Sequence, residues 1–381
     1  MTTEIVGRDP RTGEGIAIGI ADGRIAAIAA ADYRGPLYLS AGLVDLQVNG
    51  YATHDLNDGT VTPERVLALT ELMLALGTTT YLPTLVTASE ANITAGLIAV
   101  REARARYPLV ARAVPFVHVE GPFISVHDGP RGAHPAAHVR DADIAEFERW
   151  QAASGGLVGL LTLSPHSDAA IALVRHAAGQ GVHVAIGHTD ATPEQIHAAA
   201  AAGATLSTHL GNGISALLPR HPNAIWAQLA DDRLTATLIG DSHHLPADTL
   251  KAMLRAKGLD RALLVSDVVS PGGLKPGIYH QTIGGRVELQ ANGRLGPPGT
   301  PYLAGAARPL GEDVARTITM TGLSLSEVLG LATRNSGRFA GGRGALEVGA
   351  PADLIQFEWT PGAERLAIAA TYLSGERVWA R

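Results

Sequence analysis

The chain has 381 residues, a formal net charge of −6 and no cysteine, and 46% of its residues are hydrophobic. A mildly acidic balance without a basic cluster argues against a nucleic-acid partner, and the lack of cysteine excludes disulfides and thiolate metal ligands. No apolar run is long enough to span a bilayer and the N-terminal residues lack a signal-peptide pattern, so we expect a cytoplasmic protein without a membrane partner.

Residues 4–40 alternate between short strand-like segments and turns, with Asp22-Gly23 as a hairpin signal. From Leu43 onward, apolar strand-like segments alternate with helix-like segments, which is the pattern of βα repeats around a parallel sheet. The predicted strands are Leu43–Asn49, Thr79–Val86, Ala113–Glu120, Val158–Ser164, Val182–His188, Thr205–Leu210, Thr235–Asp241 and Ala262–Asp267. Eight such units predict an α/β fold, a (β/α)8 TIM-like barrel.

Between these strands, capping residues before Pro or Glu predict helix starts. They lie near Pro63, Ser89, Asp141, Ser167, Thr192, Asn223 and Pro246. Residues 268–301 are rich in Gly and Pro and predict a long loop over the barrel mouth with a hairpin-like centre. Helices over 304–321 and 324–333 follow, and the last segments return to short strands. We expect those strands to join the N-terminal ones, giving a small β-sandwich domain (1–41 and 340–381) beside a catalytic barrel (42–339).

Active sites of such barrels lie at the carboxyl ends of the strands. The polar residues at these ends are Gln47, Asn49, Glu120, His188, His209, Asp241 and Asp267. Glu120, His188 and His209 make a plausible three-ligand zinc site with one position left open for water. The bound water would become a nucleophile near neutral pH. Asp267 would then act as general base and later as acid to the leaving amine.

The number of metal ions follows from two further features. Binuclear barrels of this type carry His-x-His on the first strand and a carbamylated lysine on the fourth. Here the first strand ends in Gln47-Val48-Asn49, and no lysine lies on a predicted strand. We therefore expect one divalent ion, with zinc as the default and iron, cobalt or manganese left open. Two residues keep two interpretations: His118 is a fourth ligand or a packed histidine, and Asp241 is catalytic or caps a helix.

Several segments in order along the chain resemble the N-acetylglucosamine-6-phosphate deacetylases of the amidohydrolase superfamily. They are Gly42–Gly50, His118–Ile124, Gly132–Pro135, Gly187–Thr192, Thr208–Leu210, Val265–Asp267 and Leu303–Gly305. The resemblance implies Glu120, His188 and His209 as metal ligands and Asp267 as acid and base. It also implies that His134 meets the substrate near the acyl carbonyl.

For the rest of the substrate, the resemblance implies a second set of residues. Sugar-phosphate contacts would come from Asn212, Gly213, Arg220 and His244, with Gln47 and Asn49 beside the metal. It further implies a homodimer whose partner subunit helps to close the site. The chain departs from the family where substrate is chosen: it reads His-Leu-Gly-Asn-Gly-Ile from His209 in place of His-Leu-Phe-Asn-Ala-Met. The loop over 270–277 does not match the usual pattern either.

The function implied is hydrolysis of the acetyl group from an N-acetylated amino sugar, with N-acetylglucosamine 6-phosphate as the leading small-molecule substrate. An alternative is another amidohydrolase reaction without phosphate recognition, such as deacylation of an N-acyl amine or deamination of a heterocycle. A third hypothesis is a metal-free barrel used as an assembly surface, against which the complete ligand set argues.

Overall fold

The computed structural model of the chain describes residues 3–381. Within this range eight strands follow one another in parallel around a barrel, each hydrogen-bonded to the next in chain order. They are Leu43–Val48, Thr78–Val86, Val117–Glu120, Val158–Leu163, His183–Ile186, Ala204–Ser207, Thr235–Ile239 and Ala262–Val265. A parallel bridge between Val48 and Val268 brings the last strand back to the first. The predicted barrel is thereby confirmed.

Alternation along the strands divides the barrel core into two layers. Leu46, Leu82 and Leu160 belong to a small cluster with Leu206 and Leu263, which come from other strands of the same barrel. Residues at the alternate positions, such as Leu161 next to Leu160, pack in a larger cluster with the surrounding helices. Because successive strand residues point to opposite faces, the first layer fills the barrel interior and the second seals the helices onto it.

Most of the predicted helix starts between the barrel strands lie within one residue of an observed start, but the helix expected near Asp141 begins at Ile144, after its cap Asp143. The α-helices are Pro63–Ala75, Glu90–Arg106, Pro108–Ala113, Ile144–Ser154, Asp168–Gly179, Pro193–Ala202, Ala224–Ala230, Ala247–Lys257, Leu310–Thr321, Leu325–Ala332 and Arg334–Gly337, with 3₁₀ turns at Ala136–His138 and Leu259–Arg261. Thr192 and Ser324 form capping boxes in which cap and N3 side chains bond reciprocally to the backbone. Ser89, Ser167 and Asn223 cap their helices with side-chain oxygens.

Some predicted boundaries were wrong. The third strand was predicted from Ala113, but Pro108–Ala113 is helical and the strand begins at Val117. The helix predicted from residue 304 begins at Leu310. The residues before it instead form bridges beside the barrel mouth, such as Val268 with Ala306. Apolar runs mark buried segments but do not distinguish strand from short helix or extended wall.

Both chain ends build one small unit, as predicted. Within the described range its strands are hydrogen-bonded into a single seven-stranded sheet, whose order is Glu376–Ala380, Ala367–Leu373, Leu354–Glu358, Tyr38–Ala41, Thr3–Arg8, Gly15–Ala21 and Arg24–Ala30. The junction is the antiparallel pairing of Leu354 with Ala41. The division of the chain into domains at residues 41/42 and 339/340 stays a prediction.

The long segment after the eighth strand contains a three-stranded antiparallel sheet of Gly277–Gln281, Gly285–Leu289 and Leu295–Gly296. Two further short strands, Gly50–Tyr51 and His54–Asp55, follow the first barrel strand. Ile283 and Leu303, in and after the three-stranded sheet, line the cavity at the barrel mouth, so the predicted loop forms one of its walls. Among residues 3–381, no helix is both long and apolar enough to cross a membrane.

Candidate active site

Glu120 is the last residue of the third barrel strand and is almost completely buried. Its Oε1 atom accepts hydrogen bonds from Gln47 Nε2 and His209 Nε2, both at 3.0 Å. His188 Nε2 lies 3.3 Å from the same oxygen. Burial opposes ionisation, but the neighbouring His188 and His209 outweigh it and hold the pKa of Glu120 well below its usual value. The side chain is therefore a carboxylate clasped by imidazoles.

His188 and His209 stand just beyond the ends of the fifth and sixth strands. Their rings are perpendicular, with centroids 4.9 Å apart. The Nδ1 atom of His188 is 2.9 Å from the carbonyl oxygen of Pro130, which fixes this nitrogen as the N–H donor. Its Nε2 atom is buried without a hydrogen-bond partner among the described residues. An unprotonated imidazole nitrogen aimed at a carboxylate oxygen is an arrangement suited to a cation between them.

His134 approaches the same cluster from the loop that follows the third strand. Its Nε2 atom is 4.0 Å from Glu120 Oε2, and its Nδ1 atom is 2.7 Å from the Thr87 hydroxyl. Burial and the neighbouring His188 lower the pKa of His134 to about 3, so the ring is neutral. When Thr87 donates to Nδ1, Nε2 carries the proton and can donate to a substrate oxygen.

Asp267 follows the eighth strand and lines the cavity. Its Oδ1 atom accepts hydrogen bonds from Gln47 Nε2 at 2.9 Å and Asn49 Nδ2 at 2.7 Å. Within residues 3–381 no hydrogen bond reaches Oδ2, which leaves this oxygen for a ligand. Burial and the charge of Glu120 raise the pKa of Asp267 to about 6. A carboxyl group that titrates close to neutral pH can both take and return a proton.

The donor set fits a divalent cation. Glu120, His134 and His188 offer ligand atoms that lie within 4.8 Å of one another, and all three are buried. His209 is not in this group of mutually close atoms, although its Nε2 atom is 3.0 Å from Glu120 Oε1. Around a tetrahedral zinc with bonds of about 2.0–2.1 Å, neighbouring ligand atoms are about 3.3 Å apart. The spacings of Glu120 Oε1 from His188 and His209 match that value, whereas the 4.0 Å to His134 exceeds it.

A cavity of about 730 Å³ opens above this cluster. Asn49, Asn212, Gly213 and His244 line it together with the cluster itself, so the structure brings most of the predicted site residues together. Gln47 lies buried beneath the cavity, where its amide links Glu120 to Asp267. Arg220 is the exception, since it is exposed and does not line the cavity.

Gly213 has a steric reason to be glycine. Its φ is +59°, and a Cβ atom built there would lie 2.7 Å from Nδ1 of His188. The substrate-side loop is thus packed directly against a histidine of the cluster, and the Gly-Asn-Gly sequence permits this close approach.

The two residues with open interpretations are now placed. His118 is buried, with Nε2 2.8 Å from the Thr162 hydroxyl and Nδ1 3.2 Å from the Leu46 carbonyl oxygen. Both ring nitrogens are thus engaged, and burial lowers the pKa of His118 to about 4, so it is a packed neutral histidine. Asp241 does not cap the following helix, which begins at Ala247; its carboxylate bonds to His244 instead.

Sequence reasoning missed the groups that hold the histidines. Thr87 directly follows the second strand, so the rule that strand ends carry the site could have found it. The carbonyl group of Pro130 carries no such signal, because any residue has one. Tyr302 and Pro301 line the cavity from the segment after the three-stranded sheet, and no residue pattern indicated them.

No protein-family model matches the chain. Curated relatives do. The chain is 32% identical over 366 residues to a bovine N-acetylglucosamine-6-phosphate deacetylase, covering 91% of this chain and 84% of the relative. It is 29% identical to the enzyme of that name from Bacillus subtilis, with 89% and 87% covered. It is also 31% identical to an N-acetylgalactosamine-6-phosphate deacetylase from Escherichia coli O157:H7, with 86% and 85% covered.

Solved structures agree with these relatives. The N-acetyl-D-glucosamine-6-phosphate deacetylase of Mycobacterium smegmatis superposes with a TM-score of 0.86 at 27% identity over 96% of each chain. The corresponding structure from Thermotoga maritima gives 0.86 at 26% identity over the whole of both chains. With a relative above 30% identity covered over most of its length, the chain belongs to the N-acetylglucosamine-6-phosphate deacetylase family of the amidohydrolase superfamily.

Proposed function

We propose that the protein hydrolyses the acetamide of N-acetylglucosamine 6-phosphate to acetate and glucosamine 6-phosphate. The observation that carries this proposal is the grouping of a carboxylate between two histidines with an amide-held Asp267 at the floor of one cavity, in a chain related over most of its length to deacetylases of this name. The reaction breaks a linear amide bond. That chemistry needs a polarised carbonyl, a nucleophilic water and a proton donor for the leaving amine.

Glu120, His188 and His209 would hold one divalent cation, and zinc is our choice because its usual ligands are of these types. When bound, the cation would supply Lewis acidity and lower the pKa of a water molecule beside it. The chain's residues perform the proton transfers. Asp267 takes a proton from the attacking water and delivers it to the departing amine nitrogen.

Two further contacts support this chemistry. Gln47 and Asn49 hold one oxygen of Asp267, so the other oxygen carries the proton in both directions. His134, neutral and braced by Thr87, donates from Nε2 to the carbonyl oxygen as negative charge develops there. Asn212, Gly213 and His244 would bind the sugar-phosphate end, because they line the same cavity.

Arg220 would reach a phosphate in a homodimer. It is exposed on the loop that also carries Leu217, which is 90% exposed, and Trp226, on the helix that follows, is 54% exposed. Apolar side chains beside a cavity that has no lysine or arginine in its lining favour a second copy packed at this rim. Analytical ultracentrifugation should then show a dimer. The Arg220→Ala variant should have a raised KM for the sugar phosphate and should remain a dimer. We further propose that this dimer is cytoplasmic.

The test is acetate release from a panel of substrates. N-acetylglucosamine 6-phosphate should be turned over with a kcat/KM at least about a hundredfold above unphosphorylated N-acetylglucosamine, since a charged phosphate contact contributes several kcal/mol. N-acetylgalactosamine 6-phosphate belongs in the panel because one relative is named for it. Release of ammonia without acetate from a heterocycle, or no acetate from either sugar phosphate, would refute the proposal.

A further inference from the structure

Asp241 lies two residues after the end of the seventh barrel strand and is only 2% exposed, yet no step of the proposed reaction uses it. Its Oδ2 atom is 2.7 Å from Nδ1 of His244, three residues later. We propose that Asp241 is a positioning residue that fixes the ring orientation and tautomer of His244, so that Nε2 of this histidine is presented to the bound sugar phosphate.

The backbone directs the two carboxylate oxygens to different tasks. Oδ1 accepts the backbone N–H groups of His243 and His244, at 2.8 and 2.9 Å. Ser242 makes this turn possible by adopting a φ of +68°, in the left-handed region that favours glycine. With Oδ1 saturated by these bonds, Oδ2 remains for the imidazole of His244 alone. The strained turn therefore serves the carboxylate–imidazole contact rather than a helix cap.

Ionisation of Asp241 fits this role. Burial alone would raise the pKa of Asp241, but the neighbouring His244 and the two backbone N–H groups outweigh it and lower that pKa well below its usual value. A carboxylate acceptor requires a proton on Nδ1 of His244. The other ring nitrogen, Nε2, makes no hydrogen bond within residues 3–381, and the His244 side chain lines the cavity although it is only 7% exposed.

The surroundings of this pair explain why it matters. The charged side chains lining the cavity are Glu120, Asp128 and Asp267, with no lysine or arginine beside them. The three histidines of the cluster face Glu120, so His244 is the remaining imidazole that the described cavity wall offers to an anionic or hydroxyl group. Asp267 and His244 both line this cavity. His243, Arg308 and Asp313 are the other charged or titratable groups near Asp241 and His244.

Asp241→Asn tests the proposal with little change of shape. The amide oxygen can still accept both backbone N–H groups, but the amide nitrogen then faces Nδ1 of His244 as a donor. Nδ1 must become an acceptor, and the imidazole proton moves to Nε2. We expect KM for the sugar phosphate to rise about tenfold, the value of one ligand hydrogen bond, while kcat changes less than twofold.

The first measurement is nitrogen-15 NMR of histidine-labelled protein, with His244→Gln used to assign the His244 signals. The wild type should show His244 protonated at Nδ1, and Asp241→Asn should lose that state. Asp248→Asn, an exposed acid on the following helix, is the matched control and should change neither the spectrum nor KM. A His244 that keeps its Nδ1 proton in Asp241→Asn would overturn the proposal.

The second measurement is a double-mutant cycle in KM. If Asp241 acts through His244, adding Asp241→Asn to His244→Gln should cost less than twofold beyond the single variant. A full tenfold rise in that background would show an independent structural role and overturn the proposal. The inference rests on the proposed function for the identity of the ligand only. If the wild type releases no acetate, the proposed function fails, and the spectra still decide whether Asp241 sets the state of His244.

Discussion

His188, His209 and Asp267 adopt positive φ angles of 49°, 27° and 53°. A residue with a Cβ atom costs about 1–2 kcal/mol in this region, so three of them at one site require compensation. The side chains provide it, since each is fixed by bonds to the barrel or its loops, such as the Pro130 carbonyl for His188. At these turns the chain leaves the strand direction, and the three side chains line the same cavity.

That local geometry limits what sequence could predict. The strand-end rule selected Glu120, His188, His209 and Asp267, which line one cavity in the structure, because polar residues after buried apolar runs are conspicuous. The pattern extended the strands through His188 and Asp267, whereas the strands end at Ile186 and Val265. Hydrophobic periodicity does not report the φ angle of a residue, and only a glycine suggests a positive φ by its residue type. The positive φ angles of these three residues could therefore not be predicted from the sequence.

Asp267→Asn should abolish proton transfer while preserving the structure of the site. The amide cannot take a proton from water, and general acid–base catalysis is worth about 10²–10⁴ in rate. We expect kcat for acetate release to fall by about that factor, with one metal ion per chain still bound in elemental analysis. Asp260→Asn, at an exposed position away from the cavity, is the control. Retention of more than a tenth of the wild-type kcat would rule out the role of Asp267.

Asp313 is a buried carboxyl group whose two oxygens have no hydrogen-bond partner among the described residues. Burial, with the nearby carboxylates of Asp241 and Asp45, raises the pKa of Asp313 well above its usual value. The folded protein thus holds a proton that the unfolded chain loses near pH 4. The stability that this group contributes is complete below that pH and is lost as the pH rises toward the folded pKa.

Asp313→Asn removes this ionisation. Its free energy of unfolding should equal that of the wild type near pH 4 and exceed it by about 1–3 kcal/mol at pH 7, because the folded wild type must there keep a buried proton that the unfolded chain has lost. Urea unfolding at a series of pH values measures the difference. An unchanged gap between the two proteins from pH 4 to 7 would contradict the explanation.

At the scale of single elements, Lys257 shows how a helix end is satisfied inside the protein. It is 1% exposed at the end of helix Ala247–Lys257, and its Nζ atom donates to the carbonyl oxygens of Gln228 and Asp231 at 2.8 and 2.7 Å. A third contact reaches Leu229 at 3.4 Å. These carbonyls end helix Ala224–Ala230, where no further intrahelical N–H is available.

Lys257→Met should keep the apolar stem and lose these bonds. We expect the free energy of unfolding to fall by about 2–3 kcal/mol, because charged hydrogen bonds contribute more than neutral ones and the carbonyls stay buried. Lys251 on the same helix makes no comparable bonds among the described residues, so Lys251→Met should change the free energy of unfolding by about 0.5 kcal/mol or less. Equal denaturation midpoints for the two variants would show that the ammonium group of Lys257 is dispensable.

Helix caps were more predictable than bonds between elements. Thr192 directly precedes Pro193-Glu194, and Ser324 lies three residues before Glu327. The residues that form each cap are therefore close together in the sequence. The support given by Lys257 to another helix is not, because it joins residues 26–29 positions apart that meet only after folding. Local bonds can therefore be predicted from the sequence, whereas bonds between elements could not.

At the scale of the whole molecule, metal removal should affect both activity and stability. Glu120 is held as a carboxylate among buried imidazoles, and a cation that binds only the folded chain stabilises it by mass action. Dialysis against a chelator should abolish acetate release and lower Tm by several degrees, and stoichiometric zinc should restore both. Asp267→Asn should show the same Tm shift without turnover. Two ions per chain, or a Tm indifferent to chelation, would contradict a single structural and catalytic ion.

The barrel could be predicted because most of its units have a recognisable sequence pattern, an apolar strand followed by a capped helix. The terminal sheet was harder. Its junction pairs Leu354 with Ala41, residues more than three hundred positions apart, and short strands alone do not specify which neighbours they choose. The cavity wall from the three-stranded sheet depends on a similar long-range arrangement, because Ile283 and Leu303 meet the barrel mouth only in the folded chain.

The amide bridge at Gln47 also bears on the order in which the molecule assembles. Gln47 and Asp267 exchange two bonds, Asp267 N to Gln47 O at 3.0 Å and Gln47 Nε2 to Asp267 Oδ1 at 2.9 Å, across 220 residues of chain. Contacts of such separation carry a high loop-closure cost and form after local ones. In a refolding experiment, helical signal should therefore return before acetate release, since the proton-transfer group is completed only when the last strand closes on the first.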